Sequence, residues 1–91
     1  MSYDLGGYIY LIQCGDYHKV GITERLGSRI VNYRVSNPYD VNLILFVDRE
    51  DYKEVEKQIH KRFKDFIHRG EWFVLSKDQV QEVIRLMNQN G

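Results

Sequence analysis

Two short apolar runs carry polar residues of the kind that do chemistry. Residues 8–13 and 17–23 are separated by the turn formers Cys14, Gly15 and Asp16, and read as a β-hairpin. Side chains alternate faces along a strand. Tyr8, Tyr10 and Ile12 therefore share one face of the first run, and Lys19, Gly21 and Thr23 one face of the second. The simplest arrangement buries Ile9, Leu11, Val20 and Ile22 and leaves a second face carrying a phenol, an ammonium and a bare glycine. A glycine inside a strand often marks a close approach of another group to the backbone. Further on, Arg25, Arg29 and Tyr33 recur at four-residue spacing and line one side of a helix. Glu56 and His60 stand one turn apart on a second helix. A guanidinium can fork onto two oxygens of an anion, and a carboxylate is a hard ligand for a divalent cation.

The elements that must position these groups follow from periodicity. Thr23 is an N-cap candidate for a helix over about 24–35, with Leu26, Ile30 and Tyr33 at helical spacing and Val31 and Val35 widening the stripe. Gly27 weakens that helix by about 1 kcal/mol relative to alanine, and Ser36-Asn37-Pro38 ends it. Residues 41–47 read as a third strand with Val41, Leu43, Leu45 and Val47 on one face and Ile44 and Phe46 on the other, covered on both sides. Asp48 or Asp51 can cap a helix over about 51–66 that buries Tyr52, Val55, Ile59, Phe63 and Phe66. Gly70 stops it, and residues 71–75 are extended, with room for a small extra strand at Trp72. Ser76 and Gln79 match a capping box for a last helix over about 77–88, packed through Val80, Val83, Ile84 and Met87. The expected fold is α+β: a small three-stranded antiparallel sheet flanked by about three helices, in the order β-β-α-β-α-α.

Ninety-one residues make one small domain with a single modest core. Thirteen basic and thirteen acidic residues cancel, so a strongly basic nucleic-acid-binding domain is excluded, while a local basic patch is not. No stretch approaches a membrane span, and the N-terminus lacks a basic-then-apolar leader. The lone Cys14 fits a reducing compartment, so the expected location is cytoplasmic. Cys14 stands in a turn with no accompanying histidine pattern and is not the expected nucleophile.

With the elements in place, the chain resembles the GIY-YIG nuclease superfamily. Tyr8-Ile9-Tyr10 stands where the first signature triplet belongs and Lys19-Val20-Gly21 where the second belongs. Arg29 matches the arginine of the first helix, Tyr33 a position often filled by His or Tyr, and Glu56 the metal-binding glutamate. The run from Glu56 to Phe63, followed by Gly70-Glu71-Trp72-Phe73, is similar to the compact, phage-type branch, in which Lys-Ile-Gly often replaces Tyr-Ile-Gly. The resemblance covers about 7–75. Tyr8 departs from the first signature glycine, and Lys19 from the second signature tyrosine.

The resemblance implies a divalent-metal-dependent endonuclease that hydrolyses DNA phosphodiester bonds with Mg2+ or Mn2+. In that chemistry Tyr10 positions or deprotonates the water with the charge of Lys19 beside it, or a neutral Lys19 is itself the base. Arg29 neutralises phosphate oxygens, Glu56 holds the metal, and His60 and Tyr33 bond the phosphate or relay protons. Arg25, Arg34, Lys57 and Lys61, with Arg62 and Lys64 beside them, are the expected contacts to the DNA backbone. A larger partner would supply targeting. Each residue also has an ordinary reading: Tyr10 as an edge packer, Glu56 and His60 as a helical pair of small weight, Trp72 as a core plug, Glu71 as a loop brace. Two rival functions stand beside the nuclease: a relative that binds nucleic acid without cutting it, and a protein-interaction module reusing the fold.

Overall fold

Strands β1 (Gly7–Cys14) and β2 (Tyr17–Thr23) pair antiparallel, from Tyr8 opposite Thr23 to Cys14 opposite Tyr17, with Gly15 and Asp16 as the loop. The structure is a computed structural model describing residues 7–36 and 40–89. Helix α1 (Leu26–Ser36) follows, then β3 (Asn42–Arg49), α2 (Tyr52–Arg62), a 3-10 turn (Lys64–Phe66), β4 (Ile67–Arg69), β5 (Trp72–Val74) and α3 (Lys77–Asn88). The fold is α+β, and its antiparallel sheet has five strands in the order β3-β1-β2-β5-β4 rather than three.

The two extra strands come from the chain after Arg62. The Phe63 N–H still donates to the Ile59 carbonyl at 3.0 Å, but the Phe66 N–H donates to Phe63 at 2.9 Å, so the last turn tightens. Phe63 completes the buried stripe of Tyr52, Val55 and Ile59, whereas Phe66 is 41% exposed and leaves it. The helix expected to reach residue 66 is therefore an α-helix only to Arg62. The chain then folds back as a hairpin whose loop is Gly70 and Glu71. Gly70 has φ +59°, a conformation that costs glycine little and other residues more. It serves this turn rather than ending a helix.

The sheet has a core on each face. On one, Ile9, Leu11 and Val20 meet α2 and α3 through Val55, Ile59, Phe63, Val83 and Met87. On the other, Tyr10 and Ile12 meet Ile30 of α1 and Val41. The face expected to be open is thus covered, because Leu26 and Ile30 give α1 an apolar side that must also leave water. Strand β3 bulges: Leu45 lies opposite Leu11 and Leu43 opposite Ile12, with Ile44 between them. The extra residue breaks the simple alternation, so Ile44 and Leu45 both pack on the α2 side while Leu43 packs on the α1 side. Phe46 is 50% exposed, so β3 is not covered on both faces along its whole length.

Three end signals are resolved. The Thr23 hydroxyl accepts the Arg25 N–H at 3.0 Å, just ahead of α1. Ser76 and Gln79 form the full capping box of α3. Asp51 takes the N-cap position of α2 without a side-chain cap; Arg49 holds its carboxylate at 2.7 and 3.0 Å and also donates to the Met87 carbonyl at 2.8 Å. Pro38 lies outside the described residues. Among the described residues, no helix is long and apolar enough to cross a membrane.

Candidate active site

Strand β5 is short, and this creates the site. It pairs with β2 only at Tyr17 and His18, so β2 from Lys19 onward has one edge without a strand beside it. A backbone carbonyl at such an edge needs another partner. The Val20 carbonyl finds His60 of α2, whose Nε2 lies 2.9 Å away. A carbonyl oxygen only accepts, so Nε2 carries the proton and donates, and in the neutral ring Nδ1 keeps the lone pair. His60 is held further by an edge-to-face contact with Phe73, with ring centroids 5.5 Å apart.

The same notch gathers the other charged groups. Lys19 Nζ lies 3.0 Å from Glu71 Oε2, and its side chain is only 14% exposed. The Trp72 ring centroid is 5.9 Å from the same nitrogen. Lys19 holds the Glu71 carboxyl below the usual carboxylate range, through the hydrogen bond and then through charge, with His60 and Arg29 adding to the effect. Burial pushes the half-buried Glu56 carboxyl up; His60 and Lys19 pull it back, and the charge of Glu71 adds to the rise. Lys19 from β2, Glu56 and His60 from α2, and Glu71 from the β4–β5 loop thus act on one another at this edge, whereas Arg29 of α1 acts on Glu71 by charge and lines the α1 cleft.

Tyr10 is placed differently. It is 1% exposed, and its ring lies across the backbone of Gly21, its partner on β2. A Cβ on Gly21 would sit 2.5 Å from the Tyr10 Cζ and closer still to the hydroxyl. This is the close approach that a strand glycine signals. Tyr33 and Arg34 belong to the backbone of α1, and their side chains lie outside the described residues.

The expected backbone contacts divide. Arg25 and Arg29 are exposed and line an open cleft of about 450 Å3 with Thr23, Glu24, Ser28 and Asn32. Lys57 and Lys61 are exposed on α2. Arg62 is engaged by Glu82 of α3, so it braces the two helices. Among the described residues, no group of three or more His, Cys, Asp or Glu side chains is placed to hold a metal. Glu56 is a half-buried carboxylate whose charge His60 and Lys19 partly offset.

The T5orf172 domain model matches residues 7–88. The chain belongs to the T5orf172 domain family. That domain is related to the GIY-YIG nuclease-like fold, and membership points to a nuclease-like or DNA-binding module. The chain matches none of the curated proteins or solved structures compared with it. In this T5orf172 domain the Gly70-Glu71-Trp72-Phe73 run, read from the sequence as part of the resemblance with Glu71 as a loop brace, brings Glu71 into contact with Lys19.

Proposed function

We propose that this T5orf172 domain is a divalent-metal-dependent endonuclease of GIY-YIG type that hydrolyses DNA phosphodiester bonds. The observation that supports the reading most is the gathering of Lys19, Glu56 and His60 around Glu71 at one edge of the sheet, with Arg29 acting on the same Glu71 by charge. Such a group supplies most of what phosphodiester hydrolysis requires. Arg29 forks onto phosphate oxygens and meets the charge that grows there in the transition state. Lys19 adds a second positive charge. His60, with Nε2 committed to Val20, offers Nδ1 as a proton acceptor or relay. Tyr10, buried under α1 and fixed over Gly21, would reach an attacking water only through its hydroxyl. Glu56 would hold Mg2+ or Mn2+. A bound ion of this kind polarises the phosphate and lowers the pKa of its water. Arg25 in the α1 cleft, with Arg34, Lys57 and Lys61, would track the DNA backbone, and Tyr33 would support the phosphate from α1.

The test is cleavage of supercoiled plasmid and labelled oligonucleotides by wild type, Arg29→Ala and Glu56→Ala, with and without EDTA. Arg29→Ala should lower turnover roughly a hundredfold while binding changes less, as expected for a contact made chiefly in the transition state. Glu56→Ala should abolish metal-dependent cutting and leave DNA binding intact or slightly stronger. A second reading, a module that binds DNA without cutting, draws on the burial of Tyr10. Wild type that binds duplex, branched or single-stranded DNA with metal present but cuts none of them would establish it. Wild type that neither binds nor cuts would favour an interaction module.

A further inference from the structure

The residue that the nuclease reading leaves without a task is Glu71. Its carboxylate is 62% exposed, yet it reaches a lysine that is mostly out of water. Two adjacent residues hold the tip of Lys19: Glu71 through its carboxylate at 3.0 Å and Trp72 through its ring at 5.9 Å. Both are aimed by the tight turn at Gly70. We propose that Glu71 is a positioning residue of this site, whose ion pair fixes Lys19 as an ammonium near Glu56.

The chemistry decides between two uses of Lys19. A lysine acts as a base when burial in apolar surroundings removes its charge. A carboxylate at hydrogen-bond distance does the opposite and favours the charged form. Two carboxylates act on Lys19: Glu71 from the β4–β5 loop, in contact, and Glu56 from α2, through charge. Lys19 therefore serves as a fixed positive charge and not as the proton acceptor. Its flexible four-carbon stem leaves the place of the ammonium to be set by such contacts. An ion pair with an exposed carboxylate adds little to stability, so a purely structural role predicts almost no consequence of losing it.

The positioning role rests on the nuclease reading for its effect on turnover, but not for its effect on Lys19. The experiment has one arm for each. Side-chain NMR of isotopically labelled protein, with Lys19 assigned through Lys19→Met, follows the titration of its ammonium in wild type, Glu71→Gln and Glu71→Asp. Glu71→Gln should keep the thermal midpoint of wild type, lower the Lys19 titration midpoint, and reduce kcat roughly tenfold with KM little changed. Glu71→Asp, which keeps the charge, should restore part of both. An unchanged Lys19 midpoint in Glu71→Gln overturns the proposal whatever cleavage shows. A lowered midpoint with unchanged kcat overturns the positioning role. Wild type that cuts no DNA, while the Lys19 midpoint still follows Glu71, discards the nuclease reading and leaves the hold of Glu71 on Lys19 standing.

Discussion

Glu56 is a side chain whose surroundings oppose its ionised form. Burial raises its carboxyl above the ordinary 4.5. A group raised in the folded state contributes stability below its unfolded value and loses that contribution as pH rises through its folded value. At neutral pH the ionised Glu56 is therefore a cost to the metal-free fold. Glu56→Gln keeps the shape and removes the charge. Thermal unfolding in EDTA at pH 7 should give the variant a higher Tm than wild type, even as it loses cutting. A lower Tm would show that the carboxylate is held by contacts that outweigh its burial. The same logic separates Glu56 from Asp51, whose carboxyl is lowered by its hydrogen bonds to Arg49 and serves to join elements.

At the scale of elements, the hairpin and the last helix each depend on one small residue. Gly21 is the floor on which the Tyr10 ring rests, and that ring is fully buried and cannot swing aside. Gly21→Ala should destabilise the fold by about 1–3 kcal/mol, the range for overpacking a filled core. It should also displace the phenol, so a urea midpoint and a cleavage rate should fall together. An unchanged midpoint would mean that β1 and β2 slide apart at little cost. Ser76 accepts the Gln79 N–H at 3.2 Å while Gln79 accepts the Ser76 N–H at 2.8 Å. Ser76→Ala should cost about 1 kcal/mol, read in the same urea titration. It should leave kcat unchanged, because α3 contributes no residue to the notch.

For the molecule as a whole, His18 links stability to pH. It is buried on β2 between Gln13 and Phe73 of the flanking strands, and its Nδ1 has no hydrogen-bond partner among the described residues. Burial lowers its pKa below the ordinary 6.5, with Asp16 opposing. The unfolded chain then binds the proton more readily, so stability is full above the unfolded value and falls as pH drops towards the folded one. Tm should decline between pH 7 and pH 5, and His18→Gln should flatten that slope whatever its effect at pH 7. An equally steep slope in the variant would assign the acid sensitivity elsewhere. Periodicity in the sequence was enough for the hairpin, the three helices and the α3 cap, because these are written in residues close along the chain. Lys19, Arg29, Glu56 and His60 stand out in the sequence as polar groups beside apolar stripes, and their roles are those proposed above. Three things were not legible: that Tyr10 is covered by α1, that residues 67–69 form a strand beside the one expected at Trp72, and that Glu71 holds Lys19. Each depends on what a distant segment packs against. A strand pattern cannot say whether a helix will cover its second face, and a loop carboxylate shows its partner only once a tight turn has brought it 52 positions back along the chain, from residue 71 to residue 19.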